Sequence, residues 1–337
     1  GGFGGLLTAL EIFIYCLFTG RIFKKFTQNK ISIGLNNAVV PLAVISLVCS
    51  VGFFIYKLNI IPYVKTATTS SQFIEENYSN PNEVSLEFPE NKRNLVYIFA
   101  ESMENTYASY SLGGQFEDNY IPELSDLAKQ NINFSNTSGL GGAYAYDGTT
   151  WTASGMVAAT SGVTVKVPIN TMAYSRKNGF MQGVTTLGDI LHKNGYNQTI
   201  IMGSDAEFAN RDIYFTQHGN YKIMDVNSLK ADEKLPKDYN KWWGFEDEKL
   251  FEFAKRELTR LSAENKPFNL TLLTADSHFP NGYVCDNCED TYEVQYSNVI
   301  RCSSSQINHF VNWIKKQPFY QNTTIIISGD HLTMDPK

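Results

Sequence analysis

Strands alternating with helices from residue 94 onward predict an α/β fold, a doubly wound and mostly parallel sheet, here preceded by transmembrane helices. Three observations support this reading. Apolar, β-branched runs such as Asn94–Phe99 (NLVYIF), Phe268–Leu273 (FNLTLL) and Thr324–Ser328 (TIIIS) are spaced by amphipathic helical stretches. Each run ends in Gly or in polar residues, as a buried strand does at its tip. The first 56 residues, by contrast, are largely apolar and almost uncharged outside one basic loop.

In the first 56 residues, Leu6 to Phe18 is apolar apart from Thr8 and Glu11, and Asn37 to Tyr56 has about the 20 residues a bilayer-spanning helix needs. Residues 1–56 are therefore expected to be a transmembrane region, with a second span at about 37–56. Arg21, Lys24, Lys25 and Lys30 lie between the two stretches and mark the cytoplasmic side, which puts everything after Lys57 outside the cytoplasm. Residues 57–93, polar and broken by Pro62, Pro81 and Pro89, read as a linker with one short helix along the membrane. The chain starts without Met and is expected to be a fragment; residues 94–337 are expected to be a catalytic domain truncated at its C-terminus.

Within that domain the expected order is strand 94–99, helix 123–130, helix 152–159 and helix 186–194 running into strand 198–202. Helix 246–263, strand 268–273, helix 304–316 and strand 324–328 complete it. The 337 residues carry a formal net charge of -6, with no basic stripe and no phosphate-binding Gly-x4-Gly-Lys loop. Nucleic-acid partners and P-loop chemistry are thereby excluded.

In a doubly wound sheet, sites form beyond the carboxyl ends of the strands. Three strand ends carry chemistry: Glu101 after the first, Asp276 and His278 after FNLTLL, and Asp330 with His331 after the last. A lone His at a strand tip is more often a solvated loop residue, but three such ends at one sheet edge point to a site. Glu101, Asp330 and His331 are expected to hold a divalent metal, with Mn²⁺, Mg²⁺ and Zn²⁺ all suited to carboxylates and one imidazole. A nucleophile would sit at a helix start, where free amides favour an anion, and GGAYAYDGTTWTASG offers Thr149, Thr150 and Thr152 there. The same hydroxyls could serve only as a helix cap.

Cys285, Cys288 and Cys302 cluster in the exported part, where an oxidising compartment permits a bridge. A Cys288–Cys302 disulfide is expected ahead of one from Cys302 to Cys285. A zinc site would need a fourth ligand that the neighbouring sequence does not offer.

Together, Glu101-Ser102, the Gly-Thr-Thr-Trp-Thr loop, FANRD, DSHFP and SGDHLTM resemble the phosphoglycerol transferases of the alkaline phosphatase and sulfatase superfamily. The set is similar to lipoteichoic acid synthase, and closer to the enzyme that places phosphoglycerol on osmoregulated periplasmic glucans. The likeness runs from about Asn94 to the end. It implies that Glu101, Thr149, Asp330 and His331 hold the metal, that Thr149 is also the nucleophile, with Thr150 as fallback, and that His278 stands beside the phosphate. It implies that Arg211 of FANRD holds the phosphoglycerol head group; Ala209 stands where the family often has Trp. The implied donor is phosphatidylglycerol and the acceptor a periplasmic glucan or another envelope glycan. The enzyme would lie in the bacterial cytoplasmic membrane, its domain facing the periplasm or exterior. A phosphoethanolamine transferase is the alternative. A sulfatase would need the Pro and Arg that Thr149–Ala153 lacks, and a binding module that has lost turnover would show a broken ligand set.

Overall fold

The structure is a computed structural model that describes residues 30–68, 72, 76–135, 137–165, 177 and 179–335. The first expected span and most of the basic loop lie outside the described residues. The chain divides into two compact units, Gly1–Phe73 and Ile74–Lys337.

In the first unit, the expected second span falls within helix α1 (Lys30–Lys57), which contains Pro41. A short helix α2 (Ile60–Thr68) follows, inside the expected linker. Leu42, Ile45, Val48, Phe53 and Ile61 are all exposed. Among the described residues no helix is long and apolar enough to cross a membrane.

The second unit is built on five strands, β1 (Asn94–Ala100), β2 (Asn197–Met202), β3 (Lys222–Met224), β4 (Phe268–Leu273) and β5 (Thr323–Gly329). Their spatial order is β3-β2-β4-β1-β5 and every pairing is parallel. β1 and β4 are buried along their whole length; β1 is accordingly an almost continuous apolar run, while β4 buries Asn269 by hydrogen bonds from its side-chain amide to Gln198 Oε1 and Tyr221 Oη. Successive residues of β1 serve opposite cores. Val96, Ile98 and Ala100 pack with Leu270, Leu272 and Ile307 on one side, while Tyr97 and Phe99 pack with Met202, Phe215 and Met156 on the other. β5 is only partly buried, as befits the edge position it holds among the described strands.

The helices are α3 (Pro122–Gln130), α4 (Thr152–Ser161), α5 (Leu187–Lys193), α6 (Arg211–Gln217), α7 (Val226–Ala231), α8 (Asp247–Ser262) and α9 (Gln295–Lys315); α3, α4, α5, α8 and α9 answer to the five expected, whereas the short α6 and α7 were not anticipated. Two differences have physical causes. α9 begins nine residues before the expected start at Ser304, because Tyr296, Val299 and Ile300 already face the core. β3 was not anticipated: three residues with an exposed Lys222 carry too little pattern to read, and the pairing with β2 creates the strand.

This topology places the functional edge. β4, β1 and β5 are neighbours running the same way, so Asp276, Glu101 and Asp330 emerge side by side at their carboxyl ends.

Candidate active site and metal centre

Glu101, Asp330 and His331 converge as expected. One ligand atom from each lies within 4.8 Å of the others, and all three residues are buried. His331 Nε2 is 3.4 Å from both Glu101 Oε1 and Asp330 Oδ2.

The local backbone makes this possible at two points. Gly329 must be glycine, since a Cβ there would meet Met103 O at 1.9 Å. Ser102 sits at φ 52°, a left-handed conformation that is strained for a residue with a Cβ. That turn lets the Ser102 amide donate to Asp330 Oδ1 and the Ser102 hydroxyl donate to Glu101 Oε1, both at 2.8 Å. The His331 amide also donates to Asp330 Oδ1, at 2.8 Å.

The donor set fits a divalent cation. His331 Nδ1 lies 2.6 Å from Leu332 O. A backbone carbonyl only accepts, so Nδ1 carries the proton and the Nε2 lone pair faces the carboxylates, the tautomer a metal-ligating imidazole needs. Asp330 Oδ2 is buried without a hydrogen-bond partner, a costly state for a carboxylate oxygen unless a cation completes it. Electrostatics agree. Burial and the neighbouring Glu101 raise the Asp330 carboxyl well above its ordinary range. Burial would raise Glu101 too, but hydrogen bonding and charge from His331 hold it below its ordinary value. Burial works against a charged His331, yet Glu101 and Asp330 push it up to about 9. A cation would relieve the crowding of these groups.

The hydroxyl at this centre belongs to Thr152. Its Oγ1 is 3.3 Å from Glu101 Oε2 and 3.3 Å from His331 Nε2. Thr149, expected to be ligand and nucleophile, is directed elsewhere: its Oγ1 donates to Tyr146 O at 2.8 Å and accepts from Tyr146 N at 2.9 Å, closing a turn. Thr152 is the first residue of α4, after Trp151, so its hydroxyl lies among the unpaired amides of a helix start. Gly155 permits the approach, because a Cβ there would sit 1.9 Å from Asp330 O. The signal for Thr152 was present in Thr-Ala-Ser-Gly, small residues that let a helix start press onto another backbone.

Arg211 and His278 lie farther out. Arg211 is buried at the start of α6, with Nη2 donating to Ser204 Oγ at 3.0 Å and Asp205 O at 2.7 Å, and Nε to Phe208 O at 3.1 Å. Burial lowers its pKa while Glu101 and Asp330 are among the charges that oppose this, so its cation is within electrostatic reach of those two carboxylates. His278 also acts on Glu101 through charge. Its Nδ1 lies 2.7 Å from Phe279 O, and its ring packs on Trp243 at 4.6 Å between centroids. Trp243, half exposed beside His278, gave no sequence signal.

Asp276, the third strand-end acid, is set apart from the centre. It pairs with Asp247: Asp247 N donates to Asp276 Oδ1 at 3.1 Å, and Asp276 N to Asp247 Oδ2 at 3.2 Å. Burial and the nearby Asp247 push Asp276 up to about 9, and burial pushes Asp247 up to about 7. Asp276 thus braces the turn that leads to His278.

The expected Cys288–Cys302 bridge is not formed. Cys285, Cys288 and Cys302 are free thiols, and Cys285 Sγ is the shared neighbour, 3.4 Å from Cys288 and 3.7 Å from Cys302. Cys302 lies on α9 and its sulfur is within 4.8 Å of both loop sulfurs.

Comparison with known proteins accords with this geometry. The sulfatase family matches residues 93–335. Phosphoglycerol transferase I of Citrobacter koseri is 33% identical over 259 residues, covering 75% of this chain and 32% of the relative. The protein of that name from Escherichia fergusonii is 33% identical over 253 residues, covering 73% and 32%. This chain therefore spans about a third of the length of these relatives. Among solved structures, an alkaline phosphatase superfamily protein from Vibrio parahaemolyticus superposes with a TM-score of 0.58 at 25% identity, covering 73% of this chain and 56% of that one. The lipoteichoic acid synthase LtaP from Listeria monocytogenes gives 0.56 at 18% identity, covering 74% and 60%. Matched over most of its length, the chain belongs to the sulfatase family and has the mostly parallel α/β sheet of the alkaline phosphatase superfamily.

Proposed function

We propose that this chain carries the catalytic domain of a membrane-anchored, metal-dependent transferase that moves phosphoglycerol from phosphatidylglycerol to an envelope glycan. The observation that supports this most is the Thr152 hydroxyl, 3.3 Å from two residues of a buried carboxylate–imidazole set and at a helix start. The relatives named phosphoglycerol transferase I favour phosphoglycerol as the group transferred.

Glu101, Asp330 and His331 would hold the ion, Mn²⁺ before Mg²⁺ or Zn²⁺. When bound, such an ion supplies charge stabilisation for a hydroxyl nucleophile and a phosphoryl oxygen. Thr152 replaces Thr149 as the nucleophile. Its Oγ attacks the donor phosphorus as the bond to diacylglycerol breaks, leaving phosphoglycerol esterified to Thr152. The free amides of α4 face the phosphoryl oxygens. The Thr152 proton passes to Glu101 Oε2, which already accepts from it at 3.3 Å, while His278, entering as the imidazolium with its Nδ1–H on Phe279 O, gives its Nε2 proton to the departing diacylglycerol oxygen. In the second half, Nε2 takes the proton of the acceptor hydroxyl, which displaces Thr152 from phosphorus, and the proton on Glu101 returns to the Thr152 oxygen. Arg211, fixed by three hydrogen bonds, contributes positive charge on the head-group side.

In this reading residues 1–56 anchor the enzyme in the bacterial cytoplasmic membrane and 57–93 link them to a domain that starts at 94 and lies outside the cytoplasm. The apolar side chains exposed on α1 and α2 suit such an anchor, and a tether makes sense where the donor is itself a lipid.

The test is a half-reaction. The detergent-solubilised full chain, given Mn²⁺ and phosphatidylglycerol with a labelled head group but no acceptor, should release diacylglycerol and retain label on the peptide containing Thr152. Label retained with phosphatidylethanolamine and not with phosphatidylglycerol would reassign the donor. No retained label with either lipid would refute a covalent route.

A further inference from the structure

We propose that Cys285, Cys288 and Cys302 form a second metal site, for a thiophilic divalent ion of the zinc class, that clamps the loop carrying His278 to α9. The site is separate from the Glu101 centre and its ligands are of a different chemical type. Three sulfurs lie within 4.8 Å of one another, with contacts of 3.4 and 3.7 Å. A disulfide would hold two sulfurs at about 2.05 Å and leave the third out. Sulfurs placed tetrahedrally at about 2.3 Å from zinc stand about 3.8 Å apart. The spacing at Cys285 is close to that arrangement, and it relates one sulfur to two others rather than to one.

The surroundings are those of a thiolate site. Cys285 and Cys302 are buried and Cys288 is half-buried. Cys288 N donates to Cys285 O at 3.0 Å, closing a tight Cys-x2-Cys turn that brings the two loop sulfurs within 3.4 Å. Gln306, one helical turn after Cys302, holds its amide nitrogen 3.6 Å from both Cys285 Sγ and Cys302 Sγ. In that orientation it donates to two thiolates. A half-turn about its last torsion would present the amide oxygen instead, so the fold offers the fourth position that the neighbouring sequence did not. Water could equally occupy it, as at zinc sites with three protein ligands.

The consequence for the protein lies in what the ion would join. The loop from Asp276 to Val294 leaves β4, carries His278, and turns back at Cys285 before α9. An ion bridging Cys285, Cys288 and Cys302 crosslinks that loop to a long buried helix and limits how far His278 can move.

Cobalt is the probe. The full chain, isolated under reductant and freed of metal, is titrated with Co²⁺. We expect sulfur-to-cobalt charge-transfer absorption that saturates within two equivalents, persists in Glu101→Gln, is lost in Cys285→Ser and Cys302→Ser, and is displaced by Zn²⁺. Carboxylate and imidazole ligands give no such band, so the Glu101 centre does not contribute. Because the serine variants can misfold, the wild-type chain is also alkylated with and without Zn²⁺. At least tenfold slower modification of the three thiols with Zn²⁺ is expected. Absence of the charge-transfer band in the wild type, its survival in Cys285→Ser, or unchanged alkylation would overturn the site. So would membrane-isolated protein containing Cys285 in a disulfide and no zinc.

Discussion

The Oγ1 of Thr152 stands 3.3 Å from His331 Nε2, across 179 residues of chain, while the hydroxyl of Thr149 is spent on Tyr146. One helical start therefore separates the hydroxyl that can react from the one that only shapes the loop. Thr152→Ala should lower turnover on the order of 10⁴-fold or more, as loss of a nucleophile does. Thr149→Ala should stay within a few tenths of a kcal/mol of wild type in stability, roughly the range of loop substitutions away from the core, and keep most of its activity. Steady-state rates of diacylglycerol release distinguish the two. Equal losses in both variants would remove the assignment of Thr152.

The unpartnered Asp330 Oδ2 and the Nε2 of His331, which faces the carboxylates, predict how binding of the proposed ion would fail. Asp330→Asn and His331→Ala should each weaken Mn²⁺ binding by about two orders of magnitude, since each deletes a direct ligand. His278→Ala should leave binding unchanged and slow transfer. Calorimetric titration of Mn²⁺ into each variant gives the comparison, and full affinity in Asp330→Asn would exclude Asp330 as a ligand.

Gly155 tests whether close backbone approach, rather than the hydroxyl alone, makes the site. The 1.9 Å separation between an added Cβ and Asp330 O cannot be relieved by a side-chain rotation, because the obstacle is backbone. Gly155→Ala should destabilise by about 3 kcal/mol or more, toward the upper end for overpacking, and should displace Thr152 from His331. Urea denaturation with a parallel rate measurement checks both; a stable and fully active variant would contradict the packing described.

The Asp247–Asp276 pair predicts a pH effect of definite sign. Asp276 is held at about 9 and Asp247 at about 7, above the ordinary carboxylate value near 3.9. A carboxyl raised on folding stabilises when protonated, and that contribution is lost as pH rises through the interval between its unfolded and folded values. Asp276→Asn keeps an oxygen for the Asp247 amide and cannot ionise. Its stability relative to wild type should therefore improve steadily from about pH 4 to pH 9. Thermal midpoints across that range give the slope, and a flat or inverted difference would mean that Asp276 is ionised in the fold.

The sequence by itself determined the sheet and the edge on which the site forms. Asn94–Phe99 and Phe268–Leu273, buried along their length, and the β-branched run Thr324–Ser328, only partly buried, are legible as strands because apolar and β-branched residues dominate each of them. Their ends carry Glu101, Asp276 and Asp330 because a parallel sheet collects its strand ends at one side. Family motifs added His278 and Arg211. Only the tertiary structure decided which threonine meets Glu101 and His331. That choice depends on Gly155 resting on the Asp330 carbonyl, a contact between segments 175 residues apart, and three hydroxyls within four positions are indistinguishable without it. The same reason governs Asp276, which looked like a ligand by position but is turned away to pair with Asp247. It also governs the cysteines: spacing alone does not reveal that Cys285 lies between Cys288 and Cys302, because the helix that brings Cys302 back is placed by the core rather than by the loop.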